Sequence, residues 1–350
     1  MTKVALATAA LLPFFAQAQT QVNLYGLVDM GVNHVSNVQG QSLTELRSGN
    51  SMTSRWGIRG TEDLGGGNKV QFTMESGIQA DTGEPSSRDT YFNRQSWLGL
   101  SNEAWGEVRM GRQLSVLSDG FSSSTQSTYM GTQAAAVDGS SVTGASANRF
   151  NNMIGGTRVN NSLKYTSPNI HGLKLRAMMA FGEKADSSKQ ARLETVGATY
   201  KRGAWEGNVA YQVWHADGVS AVNTSKDKVA AVGVRYLPQN GLQVSAYFSQ
   251  QKNAKNIQGM NANVISLMAL YPVQQFTLMG GYQKLNDLSV ANRDIDQFNL
   301  GVEYALSKRT DLYALASLQK VSNGGTAGMF SKLSSDDRQR QFNVGVRHSF

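Results

Sequence analysis

Apolar and polar residues take turns along most of this chain, in stretches of roughly ten residues. In VNLYGLVDMGV, Val22, Leu24, Val28, Met30 and Val32 share one face, and Asn23, Tyr25, Asp29 and Asn33 share the other. KVQFTMESGI sets Val70, Phe72, Met74 and Ile78 against Lys69, Gln71, Thr73 and Glu75. AWEGNVAYQVW sets Trp205, Val209, Tyr211 and Val213 against Glu206, Asn208 and Gln212. A period of two is a strand with one apolar and one polar face. Sixteen such segments begin near Val22, Ser54, Val70, Phe92, Glu107, Arg158, Leu173, Thr195, Trp205, Val229, Leu242, Val264, Phe276, Gln297, Asp311 and Gln341. Each has about the length a tilted strand needs to cross a bilayer. VISLMALY is apolar on both faces, so alternation does not fix its register.

Two kinds of connection alternate between the segments. EDLGGGN, NEAWG, SPNIHG, KRGA, LPQNG, PVQ and LSKRT are short. The stretches 33–51, 80–90, 217–227, 250–261 and 322–338 are longer and polar. Short turns on one side and long loops on the other describe an outer-membrane barrel. Tyr165, Tyr200, Tyr236, Tyr271 and Tyr304 each precede a short turn, at spacings of 35, 36, 35 and 33 residues. They read as an aromatic girdle at one membrane interface. The chain ends in mid-alternation, QFNVGVRHSF. Its last strand is expected to close against the first, with Phe350 at the rim the tyrosines mark.

Composition fits a barrel. With 36 glycines and 5 prolines the chain suits strands and tight turns. A mean hydropathy of −0.35 resembles that of a soluble protein. Membrane strands, however, hide their hydrophobicity by alternating it. After the N-terminal segment no run reaches the roughly 18 apolar residues of a membrane helix. Residues 1–18 read as a secretory signal: Lys3, an apolar run from Val4 to Phe15, then Ala16-Gln17-Ala18. Cleavage after Ala18 leaves residues 19–350 as one domain and lowers the formal charge from +8 to +7.

Enzyme signatures are missing. There is no Gly-x-Ser-x-Gly, no His-Glu-x-x-His and no phosphate loop. His34, His171, His215 and His348 lack ligand spacing, cysteine is absent, and the loop acids of RDID and SDDR are at most weak Ca²⁺ ligands. No catalysis, cofactor or metal is expected. Basic residues alternate with apolar ones instead of forming a patch, which argues against nucleic acid. Two rival functions are a barrel enzyme, which needs an acid/His or Ser/His pair at one rim, and a secreted β-rich adhesin, which does not need the terminal Phe.

Alternation also assigns charges to faces. Arg55 and Arg59 lie opposite Trp56 and Ile58, Arg94 precedes Ser96, Leu98 and Leu100, and Arg109 lies between Val108 and Met110. Arg158, Lys164, Lys174 and Arg176 occupy the polar faces of their strands. An Arg or Lys facing lipid near the midplane costs about 2–4 kcal/mol, so all eight are expected in the lumen. The later strands offer mainly Gln, Asn, Ser and Thr to it.

VNLYGLVDMGV, SRWGIRGTEDLGGG, NRQSWLGL, GEVRMGRQ, NNSLKYTSPNIHGLKL and the terminal VGVRHSF together resemble the general diffusion porins of β-proteobacterial outer membranes, over essentially the whole mature chain. The resemblance implies an all-β, sixteen-stranded antiparallel transmembrane barrel, multi-pass in the outer membrane, through which small hydrophilic solutes and ions diffuse. It implies a homotrimer set among outer-membrane lipid and lipopolysaccharide. It also implies that the long Ser-, Gly-, Ala- and Thr-rich third loop, between Arg112 and Arg158, folds inward. The Pro-Glu-Phe-Gly motif of enterobacterial porins is absent from that loop.

By the same resemblance, Arg55, Arg94 and Arg158 form a basic ladder at the constriction. Asp119, with Asp138, faces them from the loop. Arg59, Arg109, Lys164, Lys174, Arg176 and Glu75 line the rest of the pore, and Phe350 with the five tyrosines serves assembly and the interface. A row of cations in a narrow aqueous pore concentrates anions, so an anion preference is expected.

Overall fold

A computed structural model describes residues 21–122, 158–185, 190–216, 225–329 and 332–350. The leader and its cleavage site fall outside the described residues, as does Asp138.

Sixteen strands form the wall. They are β1 (Gln21–Val38), β2 in two halves (Gln41–Ser48 and Arg55–Gly65), β3 (Asn68–Gln79), β4 (Gln95–Asn102), β5 (Gly106–Leu114), β6 (Arg158–Thr166), β7 (Leu173–Ala180) and β8 (Leu193–Arg202). The ring continues through β9 (Trp205–Trp214), β10 (Asp227–Tyr236), β11 (Gln243–Lys252), β12 (Ala262–Val273), β13 (Phe276–Asp287), β14 (Ile295–Ala305), β15 (Thr310–Val321) and β16 (Arg338–Ser349). Each pairs antiparallel with its successor. β16 returns to β1 in register from Leu27↔Ser349 to Val35↔Gln341. Among the described residues no strand of the wall is left as an edge, which is the condition for a sheet to stand in lipid. Among the described residues no helix is long and apolar enough to cross a membrane.

The two faces follow the sequence period. Val22, Leu24, Val32, Val209, Val232, Phe298 and Leu300 are exposed on the outside, while Asp29, Asn33, Asn208, Gln297 and Asn299 are buried inside. The lumen side of the later strands carries hydrogen-bonded amides. Gln319 donates to Gln297 at 3.0 Å, Gln297 to Asn299 at 3.1 Å and Gln341 to Asn33 at 2.7 Å. VISLMALY takes one register: Val264, Ser266, Met268 and Leu270 point inward, and Ile265, Leu267 and Tyr271 outward. Its inward side is apolar because Met268 and Leu270 pack with Met279, Tyr313 and Leu315 on the lumen face.

One connection differs from the expectation. The stretch 33–51 was expected to be a loop, but β1 runs on to Val38 and turns at Gln39 and Gly40, both with positive φ. It then pairs with the first half of β2 from Met30↔Ser48 to Val35↔Leu43. Most of QSLTELRS is exposed or half-exposed on both faces, so hydropathy does not mark it as a strand.

Aromatic side chains collect at the short-turn rim. Tyr165, Tyr200 and Tyr271 are exposed on the outer face. Tyr236 packs on Trp205 with ring centroids 4.6 Å apart, and Tyr304 on Phe276 at 4.9 Å. After β5 the chain turns inward as the short helix α1 (Val116–Ser122). Phe121 is fully buried and meets Tyr247 edge-on at 5.1 Å. Tyr247 faces the lumen, since its neighbour Phe248 is exposed outside. Gly197 and Gly233 make room for the helix: a Cβ on them would stand 2.8 Å from Val116 and 2.9 Å from Phe121.

Candidate pore constriction

Glu75, on β3, is the hub of the charged lumen. Its carboxylate accepts from Arg94 Nε at 2.6 Å and from the Tyr25 hydroxyl at 3.0 Å, and Arg55 Nε stands 3.6 Å away. Only 5% of the residue is exposed. Arg55 opens the second half of β2 and pairs in register with Gly77. Its guanidinium also donates to the Thr53 carbonyl at 3.2 Å. Arg158, at the start of β6, interacts electrostatically with Arg94, Glu75, Arg112 and Arg55. Arg112 donates to the Asn93 carbonyl at 2.8 Å and to Asn160. Three guanidiniums, those of Arg55, Arg94 and Arg158, thus surround one carboxylate, and Arg112 stands next to Arg158.

Alternation alone misplaces one member of this group. Arg94 has the parity of Leu98 and Leu100, whose side chains are exposed outside. It still reaches Glu75, because β4 starts only at Gln95 and Arg94 lies in the bend before it, its N–H bonded to the Glu75 carbonyl at 3.2 Å. Arg158 and Lys164 have the same parity. Between them Asn160 and Asn161 are both exposed, Asn161 has φ 51°, and the β5–β6 register shifts between Gly111 and Gln113. This bulge interrupts the strand between the two, and both still serve the lumen: Lys164 pairs with Asp119, and Arg158 interacts with Glu75.

The other expected lining residues lie along the same side of the lumen. Arg59 stacks over Tyr25 at 5.0 Å. Arg109 stacks over Trp97 at 4.1 Å and pairs with Glu107 at 2.9 Å. Arg59, Arg109 and Trp97 border a recess of about 190 Å³ with Asn23 and Gln71. Arg176 donates to Thr199 at 2.8 Å, and Lys174 is exposed. Asp119, on α1, ion-pairs with Lys164 on β6, a side chain only 2% exposed. That pair ties the helix to the wall, and Lys164 also donates to the Leu114 carbonyl of β5 at 3.2 Å.

Sequence reasoning missed several partners. Trp97 faces inward, paired with Thr73, although it reads as a membrane aromatic. Glu206 holds Lys201 at 2.7 Å and Arg235 at 3.0 Å farther round the lumen. Their even and odd positions were legible, but their mutual approach was not.

A family model described as Gram-negative porin matches residues 5–326. The chain belongs to the Gram-negative porin family. This porin is 31% identical to outer membrane porin protein 32 of Delftia acidovorans, over 96% of this chain and 95% of that one. It is 26% identical to an outer membrane porin protein of Bordetella pertussis over the full length of both. Its structure resembles that of an anion-selective porin from Comamonas acidovorans with a TM-score of 0.78 at 27% identity, covering 95% of this porin and 100% of that chain. The porin is therefore an outer-membrane, multi-pass channel for passive diffusion of small hydrophilic solutes and ions.

Proposed function

We propose that this porin prefers small anions, and that Arg55, Arg94 and Arg158 set the preference. One observation carries the reading: the single carboxylate of Glu75 is shared by Arg55 and Arg94, while Arg158 and Arg112 add charge within electrostatic range. The excess is positive. Water in the lumen does not fully screen charges this close, and the low-dielectric wall focuses their field. The likeness to a relative described as anion-selective supports the same sign. Arg59, Arg109, Lys174 and Arg176 extend the basic face beyond this level. Asp119 tempers the field from α1, held there by Lys164.

The assembly that goes with this reading is a homotrimer embedded in outer-membrane lipid and lipopolysaccharide. Apolar outer faces of β1 (Val22, Leu24) and β16 (Phe342, Val344, Val346) are exposed in the single chain and available for subunit contact. Residues 19–350 constitute the mature barrel once the leader is removed. Recording from purified protein in a planar bilayer under a KCl gradient tests the function. A reversal potential of the sign set by chloride supports it, and one set by potassium refutes it.

A further inference from the structure

We infer that Asp29 is a positioning residue for pore selectivity, because it clasps the break in β2 from which Arg55 emerges; the inference rests on the role proposed above for Arg55. β2 is interrupted at residues 49–54, between Ser48 and Arg55. Six residues leave the wall and return, and the first residue after the return is Arg55. Such an excursion needs partners for its freed backbone groups. Asp29 supplies partners for three of them.

Its carboxylate Oδ2 accepts from the N–H of Ser51 at 3.0 Å and of Met52 at 2.6 Å. Oδ1 accepts from the Tyr313 hydroxyl at 2.6 Å. The backbone of Asp29 works as well. Its carbonyl accepts from Gly49 N–H at 2.9 Å and Ser54 Oγ at 3.1 Å, and its N–H donates to Ser54 Oγ at 3.0 Å. Arg347, in register with Asp29 on β16, donates to Ser51 Oγ at 3.2 Å and is itself held by Glu303 at 3.1 Å and Asp311 at 2.9 Å. Asp29, Asn50, Ser51 and Ser54 are wholly buried.

This is more hydrogen bonding than a surface loop receives, and it converges on one acid that binds no arginine of the constriction group directly. The clasp fixes where the wall resumes. Arg55 follows at once, its guanidinium braced by the Thr53 carbonyl inside the excursion and facing Glu75 across the register. Removing the clasp frees residues 49–54 and lets Arg55 move out of the pore's narrow level.

The alternative is that Asp29 acts only as a negative charge near the lumen. The two roles predict opposite signs. Losing a negative charge would strengthen anion preference, whereas losing the clasp weakens it by dispersing Arg55. An Asn at this position keeps the clasp: its oxygen can accept from Ser51 and Met52 while its NH₂ donates to the Tyr313 hydroxyl.

The test measures reversal potentials in a dilute salt gradient for Asp29→Ala, Asp29→Asn, Tyr313→Phe and Arg55→Gln. The clasp predicts that Asp29→Ala moves the potential toward neutral, about as far as Arg55→Gln does, with noisier current. Asp29→Asn should stay near the wild type. Should Asp29→Ala fail to assemble, Tyr313→Phe carries the test, because it removes one bond of the clasp without changing charge and should shift the potential in the same direction by less. The inference is overturned if Asp29→Ala and Asp29→Asn shift together away from neutral, or if Asp29→Ala and Tyr313→Phe leave selectivity unchanged while Arg55→Gln alters it. No effect from Arg55→Gln would instead remove the reading of the constriction on which the inference depends.

Discussion

Phe350 and Gly26 close the barrel together. Each donates its N–H to the other's carbonyl at 3.1 Å. The phenyl ring lies so close to Gly26 that a Cβ there would come within 2.2 Å of its tip. The terminal aromatic therefore has a seat, and the seat is a glycine because any side chain would occupy it.

Substitution at the seam should act through that contact. Gly26→Val is expected to reduce the yield of folded barrel, read by heat-modifiable migration on a gel, and so is deletion of Phe350. Adding Phe350→Ala to Gly26→Val should recover part of the loss, since the clash is then gone. Strictly additive losses would show that the two residues act separately.

Helix α1 should govern how steady the pore is. Phe121 is fully buried against Tyr247, and cutting such a ring to Ala typically costs about 3–5 kcal/mol. The cost falls on docking of the helix rather than on the hydrogen-bonded wall. Phe121→Ala should thus leave barrel assembly intact and give noisier single-channel current, with greater sensitivity of the helix region to added protease. Quiet, wild-type traces would count against an anchoring role.

Glu75 offers a prediction of opposite sign to any arginine substitution. Glu75→Gln removes the one carboxylate that Arg55 and Arg94 share. Anion preference in dilute salt should increase. A shift toward cations would mean that the carboxylate's main work is to hold the arginines in place.

Assembly is tested by sizing in mild detergent. Three chains per particle are expected, and a monomer across several detergents would contradict the trimer.

Much of the fold was legible because lipid and water impose opposite demands on alternate residues. Segments starting near Val70, Trp205 and Phe276 coincide with β3, β9 and β13 to within two residues. The legibility ends where that contrast ends. QSLTELRS is wetted on both faces, so a strand passed for a loop. At Arg94 a bend resets the parity, and only family resemblance singled out Arg55, Arg94 and Arg158 as a set. Lys164 and Asp119 lie 45 residues apart in sequence, and no local pattern announces their pairing. The clasp around Asp29 was hidden for a similar reason: GNSMTS reads as an ordinary polar turn, and its partners come from β1, β15 and β16.

The central claim is that excess positive charge at Arg55, Arg94 and Arg158 selects anions. Exposed charges are screened over about 8–10 Å at physiological ionic strength, so the effect should be largest in dilute salt and fade toward molar concentrations. The most direct measurement is the reversal potential of the triple variant Arg55→Gln, Arg94→Gln, Arg158→Gln in a planar bilayer under a dilute KCl gradient. The potential should move toward neutral while the pore continues to conduct. An unchanged potential in an open channel would mean that these arginines only brace the wall.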